Sequence, residues 1–542
     1  MPSRHPLRPV HRNLALAVAG AISLAACGVD QGVVSTAADR TLEREPAAAI
    51  DEVVTDKTTP PTPTTPQGGP DGDGATTDAT APPTSPSPTE PTLPAIIEPE
   101  LFVSVPFEDV VDVDENKPSR DHDEFVAVAF TDIEQWWAEV YPEVYGEPFV
   151  PLEGGVYAGY PERSTEIPGC GQPVTQYEDL AQFAAFYCQI GDFMAYDDDD
   201  QEPSILTPLA QEFGDAVMGV VLAHEYAHAI QERIGALDRF LPTITTEQQA
   251  DCFAGAWTGH AYGGDSELLR LGDRDLRTSL IAVLSVRDPV GTNQFVQGGH
   301  GSAFDRVGAF QVGFNEGPAR CAELLDNPLP LMPNEFQQLA DLERQGNASY
   351  DCSDDPDPNC TPAPLFLADD INEFLTLAAP GFTPLAPQPV ADLSAVTCAD
   401  GVPVAGLALL CVPDGFVYYD EPQVLELYNE FGDFVLGYVY GIAWAEAAQQ
   451  AIGSRLTGEA RVLANDCLVG AWVEDITLGA NRSPQRESLV GTSPGDLDEA
   501  IRMAILIGDE GANVDVVGSP FEKIDSFRDG VLGGLAACDA LL

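Results

Sequence analysis

Residues 213–235 read FGDAVMGVVLAHEYAHAIQERIG, and residues 431–453 read FGDFVLGYVYGIAWAEAAQQAIG. Phe, Gly, Asp, Val, Gly, Val, Ala, Ala, Gln, Ile and Gly recur at the same offsets. The first stretch is apolar at Val217, Val220, Val221, Leu222 and Ile230, has no proline and has one interior glycine, Gly219, which suits a buried helix. The likeness extends in both directions. AFYCQIGDFMAYDD (185–198) returns as ALLCVPDGFVYYDE (408–421), and ADCFAGAW (250–257) returns as NDCLVGAW (465–472). GSAFDRVGAFQVGFNEGPARCAELL (301–325) returns as GSPFEKIDSFRDGVLGGLAACDALL (518–542). Self-similarity of this extent is the mark of a repeated unit. We therefore read a first module over 100–325, a second over 385–542, and a bridge over 326–384 with clusters of Pro, Asp and Asn.

The repeat also sorts the cysteines. Cys170 and Cys188 correspond to Cys398 and Cys411, and Cys252 and Cys321 correspond to Cys467 and Cys538, while Cys352 and Cys360 stand together in the bridge. Spacing alone does not fix connectivity, but related modules keep related bridges. The expected disulfides are 170–188, 252–321, 352–360, 398–411 and 467–538. They use ten of the eleven cysteines and leave Cys27.

Cys27 has a different reading. Arg4, Arg8 and Arg12 precede a short apolar run, Leu14 to Ala26, that ends in Leu24-Ala25-Ala26-Cys27-Gly28. A basic segment, a short apolar core and small residues before a cysteine are the layout of an export signal, and this one resembles a bacterial lipobox with Cys27 as the lipidated residue. The expectation is a signal peptide over 1–26 and a protein exported and held at the membrane by an N-terminal lipid anchor. Residues 27–99 follow as a Pro/Thr-rich linker without the apolar side chains a core needs.

Composition narrows the function classes. The 542 residues carry 87 acidic and 25 basic side chains, a formal net charge of −62. Such a chain is repelled by nucleic acid and by anionic membrane surfaces, so neither is expected as a partner. A hydrophobic fraction of 44% is enough for ordinary cores.

The chemistry lies in His224-Glu225-Tyr226-Ala227-His228, an H-E-x-x-H pattern. Residues four apart share a helical face, so both imidazoles can meet one metal, with Glu225 beside them. A catalytic zinc takes three protein ligands and keeps one open position. A third histidine in the H-E-x-x-H-x-x-G-x-x-H pattern is ruled out, because position 231 is Gln and position 234 is Ile. A glutamate from the next helix remains: Glu247-Gln248-Gln249-Ala250-Asp251 supplies Glu247, with Asp251 one turn on to hold a ligand imidazole.

HEYAHAIQ, EQQADCFAGAW and HGSAFDR together resemble the bacterial neutral zinc metallopeptidases, which share the gluzincin ligand set of thermolysin-like enzymes. The resemblance covers most of the first module. It implies a zincin-like fold, Zn²⁺ held by His224, His228 and Glu247, Glu225 as general base, and His300 at a family histidine position where it would donate to the developing oxyanion. It implies hydrolysis of peptide or other amide bonds in a peptide or protein substrate. In the second module the same positions hold Ile442, Ala443, Glu446, Val462 and Val517, and no histidine follows His300. The second module is thus expected to be a degenerate, non-catalytic copy that packs on the first as an intramolecular pseudo-dimer. Asp466 persists opposite Asp251, so this aspartate is expected to serve the fold as well. The alternative is a surface binding or scaffold protein with a structural zinc site, against which stands Glu225, for which such a site has no use.

Other polar groups read as structural. His122 and His260 are expected in structural or exposed roles, Tyr226 in packing, and Asp197–Asp200 as a solvated acidic loop rather than a Ca²⁺ site, with Asp351, Asp354, Asp355 and Asp357 alike. The fold class is α+β, mainly helical. Helices are expected over about 207–234, from near Thr245, and over about 265–286 and 301–324, with strands near 153–160 and 184–196.

Overall fold

The computed structural model describes residues 103–538, apart from 182, 202, 337–341, 354, 356–357, 478–490 and 509–518. The segments read as signal peptide (1–26) and linker (27–99, with Cys27), and Asp354, Asp357 and Val517, lie outside the described residues.

The chain is mainly helical, with two four-stranded sheets. The first holds β1 (Val111–Asp112), β2 (Gly155–Gly159), β3 (Ala185–Cys188) and β4 (Phe193–Asp197) in the order β1-β2-β4-β3. The second holds β5 (Ala386–Val390), β6 (Val402–Val404), β7 (Ala408–Cys411) and β8 (Phe416–Asp420) in the order β5-β8-β7-β6. In each, a parallel pair (β2–β4, β5–β8) continues into an antiparallel one (β4–β3, β8–β7). The sheets differ in the fourth strand, which adds beside β2 in the first and beside β7 in the second. A ribbon of Ile167–Pro168 and Val174–Thr175 is tied to the first sheet by the 170–188 disulfide.

Among the described residues, six longer helices accompany each sheet. They are α1 (Asp123–Tyr145), α2 (Leu206–Phe213), α3 (Ala216–Arg233), α4 (Thr243–Gly263), α5 (Asp273–Ser285) and α6 (Ala303–Glu316). In the second half they are α7 (Ala363–Ala378), α8 (Glu421–Phe431), α9 (Phe434–Ile452), α10 (Glu459–Thr477), α11 (Asp496–Ile507) and α12 (Pro520–Gly533). The expected helix over 207–234 is two helices: Gly214, with φ +125° and its N–H on Ala210 O, ends α2, and α3 starts two residues later. Gly317 (φ +80°) likewise divides the segment expected as one helix over 301–324. The helix expected from 265 begins at Asp273, because Ser266 is held in a loop by its hydrogen bond to Asp132.

Helix α1 is absent from the sequence reading above, yet it supplies much of the core through Phe125, Val126, Phe130, Ile133, Trp136 and Trp137. The segment 326–384 is more than a bridge, since it holds α7. Trp257 Nε1 on α4 donates to Asp132 on α1 (2.8 Å), and Trp472 Nε1 on α10 donates to Asp370 on α7 (2.8 Å). Tyr226 on α3 reaches Glu134 on α1 (3.0 Å), and Trp444 on α9 reaches Asn372 on α7 (2.8 Å). Helix α7 therefore stands to the second half as α1 stands to the first.

The five expected disulfides are the five that the structure forms. Asp197–Asp200 are not a solvated loop. Asp197, Asp198 and Asp199 are buried, Asp198 is paired with Lys117 (2.7 Å) and His122 (2.8 Å), and Arg120 pairs with Asp200 (2.9 Å). Buried carboxylates need such partners. In the bridge, Asp351 is exposed and Asp355 pairs with Arg344 (2.8 Å).

One continuous apolar core runs through both halves. Their contact is reciprocal. Gln311 Nε2 on α6 donates to Phe521 O on α12 (2.9 Å), and Arg528 on α12 donates to Phe304 O on α6. Phe304 meets Phe527 edge-on, and Phe314 packs on Phe521 with ring centroids 4.6 Å apart.

Within each half two helices cross at glycines. A methyl group at Gly313 on α6 would lie 1.7 Å from Cys252 O on α4, and one at Gly255 would lie 1.9 Å from Phe310 O. At Gly530 and Gly470 the corresponding distances are 2.1 and 2.0 Å, to Cys467 O and Phe527 O. Backbone cannot yield that far without moving a helix, so we expect Gly313→Ala and Gly530→Ala each to cost about 2–3 kcal/mol in urea unfolding. Gly491→Ala, which meets nothing within 4 Å, should stay within about 0.5 kcal/mol of the parent.

Candidate metal centre

The site forms where α3 passes α4. The one-turn spacing of His224 and His228 sets their rings edge to face with centroids 5.0 Å apart. Glu247, in the second turn of α4, faces both: His224 Nε2 is 3.2 Å from Glu247 Oε2, and His228 Nε2 is 3.6 Å from Glu247 Oε1. Ligand atoms of the three residues all lie within 4.8 Å of one another, and all three side chains are buried. A tetrahedral shell with bonds near 2.0–2.2 Å separates its ligand atoms by roughly 3.3–3.6 Å, so these spacings suit one small cation.

The other ring nitrogens decide which tautomer faces the centre. His224 Nδ1 lies 2.8 Å from Asp251 Oδ1, and His228 Nδ1 lies 2.9 Å from Gln231 Oε1. Gln231 is held the right way round because its amide nitrogen donates to Thr246 O (2.8 Å). Both Nδ1 atoms thus have acceptors for a proton, which leaves each Nε2 as the nitrogen that a cation beside Glu247 would meet. Glu247 Oε2 is buried and accepts no hydrogen bond. A buried carboxylate oxygen in want of a partner, on a carboxylate that faces two imidazole nitrogens, is what a bound cation would satisfy. Two nitrogens and one oxygen are donors that zinc accepts.

Arg306, on α6, completes the setting and was not singled out from the sequence. Its Nε and Nη2 donate to the two oxygens of Asp251 (2.9 and 2.7 Å), and its Nη1 donates to Val286 O. The signal was present: Lys523 takes the corresponding place and pairs with Asp466 at 2.8 Å, so a cation is kept opposite the kept aspartate. Gln231 was also missed, although Gln449 repeats its bond by donating to Arg461 O (2.8 Å).

Glu225 faces partly outward. Its Oε2 accepts the backbone N–H of Tyr187 (3.1 Å), on edge strand β3. His300 stands apart from the close trio. Its side chain is 41% exposed and its Nδ1 is 3.6 Å from Asp288 Oδ1. Its loop is fastened where Gly301 N–H donates to Asp288 Oδ2 (2.8 Å) and Asp288 N–H donates to Gly301 O (3.0 Å). His260 lies beside Trp136 and His122 is buried against Asp198, so neither joins the site.

The charges are coupled. Burial alone would push Glu247 toward the neutral acid, but His228, His300 and His224 reverse this and hold its pKa well below the usual carboxylate range. Burial also opposes ionisation of Asp251, and Arg306 with His224 brings its pKa below normal. For His224 burial disfavours the cation, yet Asp251 and then Glu247 overcome it and raise its pKa to about 10. His300 is raised as well, the pull of Glu247 and Asp288 outweighing its burial.

Uncharacterized proteins of Mycobacterium tuberculosis (strain H37Rv) and Mycobacterium bovis are each 31% identical to this chain over 169 residues. The match takes in 28% of this chain and 55% of each relative, so the chain spans about half the length of the curated relatives it matches. No protein-family profile and no solved structure matches the chain.

The metal-free site has a pH signature. Folded, His224 keeps its proton up to about pH 10, whereas the unfolded imidazole loses it near 6.5. The folded state thus holds the extra proton between these values, and its stability falls as pH rises through that window. Asp251 and Glu247, whose pKa values are lowered, contribute stability that is lost toward acid. We expect urea unfolding in chelator to show the alkaline decline, and His224→Gln to flatten it; an equal slope in the variant would assign the proton elsewhere.

Proposed function

We propose that the first half is a zinc-dependent hydrolase of peptide or related amide bonds. The observation that carries this reading is the convergence of His224 Nε2 and His228 Nε2 on the buried Glu247 carboxylate, with both Nδ1 atoms already engaged. His224, His228 and Glu247 would hold the ion, and Asp251 and Gln231 would keep the imidazoles aligned. When bound, zinc supplies Lewis acidity that acidifies water and polarises a carbonyl. Glu225 serves as general base. Tyr187 N–H fixes its Oε2, which leaves Oε1 to take the proton of the attacking water and pass it to the leaving amine. His300, anchored by Asp288, donates to the oxygen that gains charge. Glu225 favours this reading over a purely structural zinc, because its bond from Tyr187 N–H occupies one oxygen and leaves beside the proposed ligands a second one for which a structural zinc has no need.

We further infer that the two halves descend from one duplicated unit and pack as an intramolecular pseudo-dimer. The support is the one-to-one order of α1–α6 and α7–α12, the matching disulfides, and the reciprocal bonds of Gln311 and Arg528. Reciprocal contacts are what a two-fold interface produces. In the second half Glu446 replaces His228 and pairs with Arg461 (2.7 Å), so that location is closed by its own ion pair. Export with a lipid anchor at Cys27 accords with five disulfides, which persist in oxidising compartments. None of the described helices is long and apolar enough to cross a membrane.

The test is Glu225→Gln. The variant should take up zinc like the parent by metal analysis, and should hydrolyse casein about 10²–10⁴-fold more slowly. Hydrolysis at the parental rate, or activity in the parent that chelator leaves untouched, would remove the proposed mechanism.

A further inference from the structure

Asp498 belongs to the half without ligands, on α11, and is buried. Its side chain nevertheless ends among residues of the first half. Oδ1 accepts the backbone N–H of Phe304 (3.1 Å), the second residue of α6. Oδ2 lies 2.9 Å from Arg287 Nε. These two contacts bracket the loop that carries His300. Arg287 directly precedes Asp288, which holds His300 and Gly301. Phe304 lies two residues before Arg306, which holds Asp251 and through it His224.

A carboxylate here meets two demands at once. It neutralises a largely buried guanidinium, and it caps a helix N-terminus where the unpaired N–H groups attract negative charge. Ser302 caps the same turn through Asp305 N–H (3.2 Å), and Arg528 closes it from the other side by donating to Phe304 O, with its guanidinium carbon 4.2 Å from the Phe304 ring centroid. The first turn of α6 is thus gripped by two residues from the other half.

We propose that Asp498 is a positioning residue for the metal centre: by joining Arg287 to the N-terminus of α6, the second half fixes where His300 and the Arg306–Asp251–His224 chain stand. It explains physically why a half without ligands is kept. Its metal readout rests on the zinc reading above; its geometric content does not.

The experiment uses the full chain with Asp498→Ala, Asp498→Asn and, as a control, Trp472→Phe, which removes the bond to Asp370 inside the second half and touches neither α6 nor Arg287. Zinc affinity is read by chelator competition, and amide hydrogen exchange is followed over residues 286–308 in the metal-free protein. Loss of a residue that supports a ligand typically weakens metal binding about 10–100-fold. Asp498 acts one step further out, so we expect about 10-fold weaker zinc binding in Asp498→Ala, with faster exchange confined to 286–308. Asp498→Asn keeps an acceptor for Phe304 N–H and should recover part of both. Trp472→Phe should leave both at the parental value even where it lowers the unfolding midpoint. Unchanged exchange over 286–308 in a folded Asp498→Ala overturns the proposal, as does an equal loss of zinc in Trp472→Phe. A parent that takes up no zinc defeats the zinc reading alone, since the exchange comparison still decides whether Asp498 sets the loop.

Discussion

Asp251 is 1% exposed and fully charged, and the first half is organised around giving that charge two cationic neighbours. A buried carboxylate with one partner removed is among the costlier defects a fold can carry. Arg306 supplies the bidentate partner from α6 and His224 supplies the other from α3, so one side chain on α4 ties three helices together. The tie has a chemical by-product. With Nδ1 committed to Asp251, the only free nitrogen of His224 is the one facing Glu247 and His228. The close crossing of α4 and α6 at Gly255 and Gly313 belongs to the same constraint, since a wider separation would draw Arg306 away from Asp251.

The second half shows the same constraint without the two histidines. Asp466 is again buried, with Lys523 at 2.8 Å and Tyr438 donating at 2.5 Å, so the aspartate and its cation belong to the fold itself. The layer beside it is arranged the other way round. In the first half the carboxylate, Glu247, comes from the α4 side and looks to the imidazoles of α3. In the second the carboxylate, Glu446, comes from the α9 side and is met by Arg461 and Asn465 of α10. The guanidinium already occupies the place a cation would take.

How much of this the sequence discloses depends on how far apart the partners lie along the chain. His224, Glu225, His228, Glu247 and Asp251 fall within two adjacent helices, so spacing alone brings them together, and the repeat carried the disulfide pairing. Helix α1 was not legible, because what fixes it is remote: Asp132 accepts from Trp257 and Glu134 from Tyr226, neither within the reach of local pattern. Asp197–Asp200 look like a solvated run for the same reason, since their partners, Lys117, Arg120 and His122, lie some eighty residues earlier in the chain. Arg306 lay between the two cases. Its partner is distant, but the paired survival of Asp466 and Lys523 contained the information. The breaks at Gly214 and Gly317 are backbone events, each a left-handed or extended glycine ending a run whose apolar spacing continues across it.

The contact between the halves is reciprocal in position but unequal in chemistry, and the inequality indicates which half depends on the other. Gln311 gives Phe521 O a neutral bond, while Arg528 brings a buried charge to Phe304 O. Burial lowers the pKa of Arg528 to about 10, and Asp305 and Asp525 support its charge from either side. A charge of that kind is tolerated only where its surroundings are fixed. The half that receives it is the half that carries His224, His228 and Glu247, and it receives it at the first turn of α6, where Asp498 also enters. Two other buried charges of the second half are met internally, through Lys523 with Asp466 and Arg461 with Glu446, whereas Asp498 and Arg528 reach into the first half. Splitting the chain would expose Phe304 and Phe314 with their partners Phe527 and Phe521, but it is α6 of the first half that would also lose its two anchors, Asp498 and Arg528.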